Sequence, residues 1–212
     1  GEHGGNTFTI IARNISKITS PGVKNLDVPN FFGEQRFQYG NADVGRFLVK
    51  KKFGEAADMI AENNRLFAKH YEKKKSDAVG ALLKLPKHIL MIYLHAYQSM
   101  LWNQARATLG HNAPEKLVVI GFGTEFDNVR DDVREIYEEL LEKEDLSPRD
   151  FIIKQLRGLS PEGETRKSTL SVEIEVGAPE NDDCFPGKKK QEIKFSLPTG
   201  AYATVVVQQL FA

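Results

Sequence analysis

Val28-Pro-Asn-Phe-Phe-Gly-Glu-Gln-Arg-Phe37 is the densest run of chemically capable side chains in the sequence. Two adjacent rings, Phe31 and Phe32, stand beside two amides, Asn30 and Gln35, and the guanidinium of Arg36. In extended backbone, neighbouring side chains point to opposite faces, so only one of the two rings can enter a core. The other packs elsewhere or offers its face to a ligand. A ring, amides and a cation are the parts that hold an extruded base: a face to stack on, donors and acceptors for its edge, and a charge for phosphate. Each stacking contact is worth about 1–3 kcal/mol. The same residues also suit a core beside a tight turn, and composition leaves both readings open.

Other chemistry is weaker. His3, His70, His88, His95 and His111 never fall at metal-ligand spacing with carboxylates or Cys184, so no metal is expected. Cys184 is the single cysteine, which excludes an internal disulfide and points to a reducing compartment, the cytoplasm. It lacks a marked histidine partner for nucleophilic work. Gly121-Phe-Gly-Thr124 offers N–H groups to a phosphate, yet Walker and dinucleotide spacings are absent and a structural turn is the better reading. Lys50–Lys52, Lys73–Lys75 and Lys188–Lys190 read as solvated faces, or as a phosphate track if the fold brings them to one side. Lys+Arg 29 against Asp+Glu 29 gives zero net charge, so any nucleic-acid surface must be a local patch. Hydrophobic residues at 41% and charged residues at 27% of 212 exclude collagen, coiled-coil rods and wholesale disorder. No apolar run approaches the ~18 residues of a membrane helix, and neither a secretory leader nor a membrane partner is expected.

These residues need elements to position them. Asn6–Arg13 reads as a strand, and residues 15–28 alternate weakly around a Pro21-Gly22 turn. Helical spacing runs from Asp43 to about Asn63, with Gly45 and Gly54 as blemishes, and from Lys87 to Leu109 behind Pro86. Lys116–Ile120 is a short buried strand. Thr124–Asp127 has the form of a capping box opening a helix from Glu125 to Lys143, and Ser147-Pro148 opens a short helix ending near Leu156. Residues 166–176 and 188–197 alternate and should pair as an antiparallel hairpin. Residues 201–211 suit a strand through Thr204-Val-Val-Val207, or a helix through Ala201, Val205, Gln208 and Gln209. The fold class is α/β in the α+β sense: a mixed, mainly antiparallel sheet covered by the helices at 43–63 and 87–109, with a smaller inserted α/β module at 112–165.

Val28–Phe37 closely resembles the signature of TruD-type pseudouridine synthases, which modify uridine in transfer RNA. Four further stretches agree in order: Gly5-Asn-Thr-Phe8, Gly40-Asn-Ala-Asp-Val-Gly-Arg46, Gln98-Ser-Met-Leu-Trp-Asn103 and Leu197-Pro-Thr-Gly-Ala-Tyr-Ala-Thr204. The resemblance implies a synthase-type domain over 1–111 and 166–212, incomplete at its N-terminus, with 112–165 as the family's inserted module and the two as walls of an RNA-binding cleft. It implies an Asp nucleophile acting on a flipped uridine, at the sugar or at the base, with no metal or organic cofactor. The glycosidic bond breaks, the uracil turns and is rejoined through carbon. By the same resemblance Phe32 packs on the target base, Asn30 helps hold the catalytic loop and the nucleotide, and Gln35, Arg36 and Phe37 complete the substrate-binding set. Transfer RNA or another structured RNA is the implied partner, in the cytoplasm or, in a eukaryote, the nucleus. Phe32→Ala should then weaken RNA binding more than folding.

The departures matter as much. The family's Gly-Leu-Lys-Asp type segment occurs nowhere in 1–212, and Asp27 and Asp43 lack its context. The catalytic carboxylate is expected upstream of this chain, and the chain alone is expected to be inactive. Gln208-Gln209 replace a usual Arg-Glu pair and Ala201 replaces Ser. The alternatives are a non-catalytic RNA-binding fragment or paralogue, and a protein-interaction domain with a buried aromatic signature.

Overall fold

The computed structural model describes residues 4–212; His3 lies outside them. In chain order the elements are β1 (Asn6–Ile15), β2 (Gly22–Pro29), α1 (Asn41–Val49), α2 (Phe53–Asn63), α3 (Arg65–Tyr71), α4 (Ala78–Leu82), α5 (Lys87–Leu109), β3 (Lys116–Val119), α6 (Asp131–Glu144), β4 (Glu164–Lys167), β5 (Thr169–Val176), β6 (Glu180–Asn181), β7 (Lys189–Leu197) and α7 (Ala203–Phe211). The architecture is α+β. The chain divides into two compact units, one holding the residues up to Gly33 together with Lys167–Ala212, the other Glu34–Arg166. No helix of the described residues is long and apolar enough to cross a membrane.

The first unit is an antiparallel sheet in the order β1-β7-β5-β2, with β6 paired to β7. Alternation explains it: Val172, Ile174 and Val176 of β5 and Ile193, Phe195 and Leu197 of β7 point to one buried face. Phe8 stands opposite Phe195 in the β1–β7 ladder, their rings 5.6 Å apart. The expected pairing of 166–176 with 188–197 is present as Ile174–Val176 on Phe195–Ile193. The weakly alternating stretch before residue 29 becomes β2, paired with β5 from Gly22↔Val176 to Pro29↔Thr169. It is an outer strand, so Lys24, Leu26 and Val28 need supply only one inward face. Within this unit the helix on the sheet is α7, whose Val206 is buried among the strand residues while Ala203, Val207 and Leu210 flank it. The ambiguous C-terminus is therefore a helix: the open face of the sheet accepts residues at spacings of three and four, which overrides the β-branched run. The helices expected over the sheet fall in the second unit.

A bulge between Ala12 and Ile15 lets β1 meet the 182–184 loop. Arg13 donates to Asp182 and Asp183 at 2.8 Å each, and Lys190 reaches Asp183 at 2.6 Å. Burial pushes the Asp182 carboxyl up, but the N–H groups of Asn14 and Cys184, with Arg13, outweigh it and hold it below the ordinary value. Asp183 is held well below the carboxylate range by Arg13 first and Lys190 second.

In the second unit α5 is the axis. It buries residues around most of its girth, among them Leu90, Leu94, Tyr97, Leu101, Trp102 and Ala105. The expected 43–63 helix is broken at Lys50–Lys52. Lys51 takes a left-handed φ of 59°, Lys51 N donates to Leu48 O and Lys52 N to Phe47 O, which closes α1 and starts α2 afresh. Gly45 is no blemish: a Cβ there would lie 2.1 Å from the Tyr93 carbonyl oxygen and 2.9 Å from Tyr97 Cβ. Its bare Cα is what lets α1 lie on α5. The expected helix at Glu125 begins instead at Asp131, because Thr124 Oγ1 accepts from Gly121 N at 2.9 Å and caps no helix. Pro148–Phe151 and Lys154–Leu156 are 3₁₀ turns in place of the short helix, although Asp150 does accept from both Ser147 N and Oγ at 2.8 Å.

Two stability tests follow from this packing. Gly45→Ala forces a methyl into backbone and should cost about 1–3 kcal/mol, read as a lowered denaturant midpoint with an unchanged m-value. Because Asp182 and Asp183 titrate below the usual ~3.9 in the folded chain, their contribution is present above about pH 4 and is lost as pH falls through their folded values. Arg13→Gln should therefore lower Tm at pH 6, with the gap from the parent narrowing towards pH 2.

Candidate functional site

The signature begins where the β2–β5 ladder ends. Beyond Pro29↔Thr169, Asn30 N donates to Ser168 O at 3.0 Å, and Asn30 Nδ2 donates to Lys167 O at 2.9 Å. The amide is buried, and buried amides require partners. It ties the loop to the β4–β5 junction. Phe31 N donates to Pro29 O at 2.8 Å, turning the chain sharply. Phe32 is the inward ring, at 8% exposure, and Phe31 is half-buried. The Phe32 ring meets Tyr202 edge to face, centroids 6.2 Å apart at 64°.

Register brings three of the five family-like stretches to one end of the first unit's sheet. Asn6 pairs with Leu197 and Pro29 with Thr169, and both pairs close the same end of the strands. Gly5 permits the approach of the first stretch, since a Cβ there would lie 2.3 Å from Leu197 O. Tyr202 lies in the last family-like stretch, and its contact with Phe32, 170 residues earlier, carries no local sequence signal.

The remaining signature residues open the second unit. Glu34–Gly40 is 3₁₀-like but broken by an extended Gln38 and a left-handed Tyr39 (φ 57°); Gln35 is exposed and Arg36 and Phe37 are half-buried. Asn41 Nδ2 donates to Arg36 O at 3.4 Å. Arg36 also acts on His95 of α5: loss of hydration and then the nearby guanidinium hold the imidazole below its usual value, with Glu164 opposing. His95 is therefore neutral at pH 7. Arg166 lies over the Trp102 ring at 5.5 Å. Gln98 Nε2 donates to Ile120 O at 2.8 Å and Glu162 O at 3.1 Å, so this family-like stretch clamps the end of β3 to the return strand.

Other candidates are settled by their partners. Gly121 N donates to Thr124 Oγ1, Phe122 N to Pro161 O and Thr124 N to Gly121 O, so the Gly121–Thr124 segment is a turn with three of its four N–H groups engaged. Among the described residues, Asp182, Asp183 and Cys184 are the one group whose ligand atoms lie within 4.8 Å. Arg13 and Lys190 already occupy that pair of carboxylates, and a cation would meet two positive groups there. Asp27 accepts from Ser171 Oγ, and Asp43 lies in the first turn of α1. Lys50 pairs with Glu144 at 3.1 Å and Lys51 donates to the carbonyls of Val49 and Asp150. Lys189 and Lys190 are engaged by Asn181 and Asp183.

Comparison with known proteins finds one family throughout. The family model described as tRNA pseudouridine synthase D (TruD) matches residues 60–114 and 105–210. A "Probable tRNA pseudouridine synthase D" of Methanosarcina acetivorans is 26% identical over 96% of this chain, and one of Pyrobaculum islandicum is 26% identical over 97%. The chain spans 64% of the length of each of these two relatives. The tRNA pseudouridine synthase D of Aquifex aeolicus is 24% identical over the whole chain and 70% of its own length. A crystal structure of a TruD-named protein from Methanosarcina mazei superposes with a TM-score of 0.78 at 22% identity, covering all of this chain and 69% of that one. That likeness shows the fold.

Burial sets the expectation for the central ring. Phe32→Ala should destabilise the chain by about 3–5 kcal/mol, the range for a buried phenylalanine, measured by denaturant unfolding. Burial therefore sets a folding cost against the loss of RNA binding expected from sequence, and the two are compared by measuring both on the same variant.

Proposed function

The chain belongs to the tRNA pseudouridine synthase D (TruD) family, and from that premise we propose that it is the signature-bearing part of an enzyme that isomerises uridine to pseudouridine in transfer RNA. The observation that carries the reading is the Asn30 clamp. A signature that resembles the family's is held at the end of a strand ladder, with its amide fixed and its rings divided between an inward and a half-open position.

In this reading Asn30, Phe32, Gln35, Arg36 and Phe37 serve the nucleotide. Phe32 has a structural share in that role, since its ring packs on Tyr202. Residues 1–111 and 166–212 form the synthase-type domain and 112–165 the inserted module. The reaction breaks the N1–C1′ bond, turns the uracil, forms C5–C1′ and moves one proton from C5 to N1. Atoms and electrons balance with no oxidant or reductant. An Asp carboxylate suits the nucleophile because it adds and then leaves. No segment of 1–212 has the family's context for that Asp, so we assign it to a stretch outside these residues. Localisation in the cytoplasm, or in the nucleus of a eukaryote, belongs to the same proposal.

Tritium release from C5 of [5-³H]uridine-labelled transfer RNA tests this. The protein as encoded, with whatever precedes Gly1, should release tritium, and the 212-residue chain should not. Absence of release from both would leave the non-catalytic RNA-binding reading; release by the short chain would place the nucleophile inside it.

A further inference from the structure

The three lysine tracts differ in what the fold does with them. Those at 50–52 and 188–190 are largely engaged, as described above. The middle tract faces an open cleft of about 490 Å³ in the second unit, between α3, α4 and the turn after Leu156. Lys73, Lys74, Lys84, Arg157 and His70 line it, against a single carboxylate, Asp77. Asp77 is occupied twice over: Oδ1 accepts from Gly80 N at 2.9 Å, and Oδ2 lies 3.6 Å from Lys74 Nζ. Gly80 allows this, because a Cβ there would lie 2.5 Å from the carboxylate. Lys73, Lys84 and Arg157 are exposed and form no ion pair with any described residue.

Arg157 reaches the cleft from a distant part of the chain. It takes φ 56°, a left-handed conformation that a long side chain adopts at a cost, with Gly158 also left-handed at φ 64°. This left-handed residue closes the Lys154–Leu156 turn and places Arg157 on the rim of the cleft. A chain with no net charge thus concentrates uncompensated cations around one concavity.

We propose that this cleft binds the phosphate backbone of the RNA, as a positioning site separate from the signature residues. The proposal rests on the RNA-modifying reading above. Cations in a concavity grip phosphodiesters without reading bases, and each contact adds to the salt dependence of binding. The site therefore sets where the RNA lies and leaves the choice of uridine to other contacts.

The test is the affinity of the 212-residue chain for transfer RNA across a salt series. The triple variant K73Q/K84Q/R157Q should lower the slope of log K against log salt by about 2–3 and weaken binding alike for unrelated RNA sequences. The variant K73R/K84R/R157K should keep the parental slope, which separates charge from shape. An unchanged slope in the glutamine variant overturns the proposal while leaving the RNA reading standing, as does an equal loss in both variants. No binding by the parent at about 50 mM salt overturns the RNA reading and this site together.

Discussion

One buried amide governs the signature. Asn30 extends the β2–β5 ladder by a backbone bond to Ser168 and a side-chain bond to Lys167. Without it the chain would leave the sheet at Pro29, which has no N–H to bond, and nothing local would fix the direction of the two rings. A hydrophobic residue there would leave the Lys167 carbonyl without its amide donor and lose the directional bond. The aromatic pair follows from this constraint: alternation sends Phe32 inward onto Tyr202 and leaves Phe31 half open.

The second unit rests on the absence of a side chain. Gly45 gives α1 its approach to α5, and α5 then carries Gln98, Trp102 and His95 in a fixed order along its length. Gln98 ties β3 to the return strand through two carbonyls, and Tyr97 stacks on Phe151 at 6.1 Å. The segment after α5 is thereby held to that helix. Charge follows packing: Glu144 gathers Arg46 and Lys50, and its carboxyl stays below the ordinary value because these cations outweigh its burial.

Much of this was legible residue by residue. The long helix behind Pro86, the strands at 6–13 and 188–197, and the inward face of β5 all follow from period and punctuation. The errors have physical causes. β2 alternates weakly because Val23 stands on its solvated face and Lys24 on the face shared with Leu26 and Val28. Thr124 resembles a helix cap, yet its oxygen is claimed by Gly121 three residues back. Lys51 ends a helix in a conformation usually left to glycine, held by bonds from its ammonium group to two carbonyls. None of these competitions is visible in a local window.

The sequence by itself pointed to the family, because motifs in fixed order survive without knowledge of contacts. It also determined which faces of β5, β7 and α5 are apolar, since period is a local property. Only the tertiary structure decided that the C-terminal residues hold a helix, that Phe32 and not Phe31 is the inward ring, and which lysines of the three tracts find carboxylate or carbonyl partners. Each of those outcomes depends on a partner far away in the chain: the sheet under α7, Tyr202 beside Phe32, Glu144 beside Lys50. Long-range partners change what a residue does without changing its local pattern.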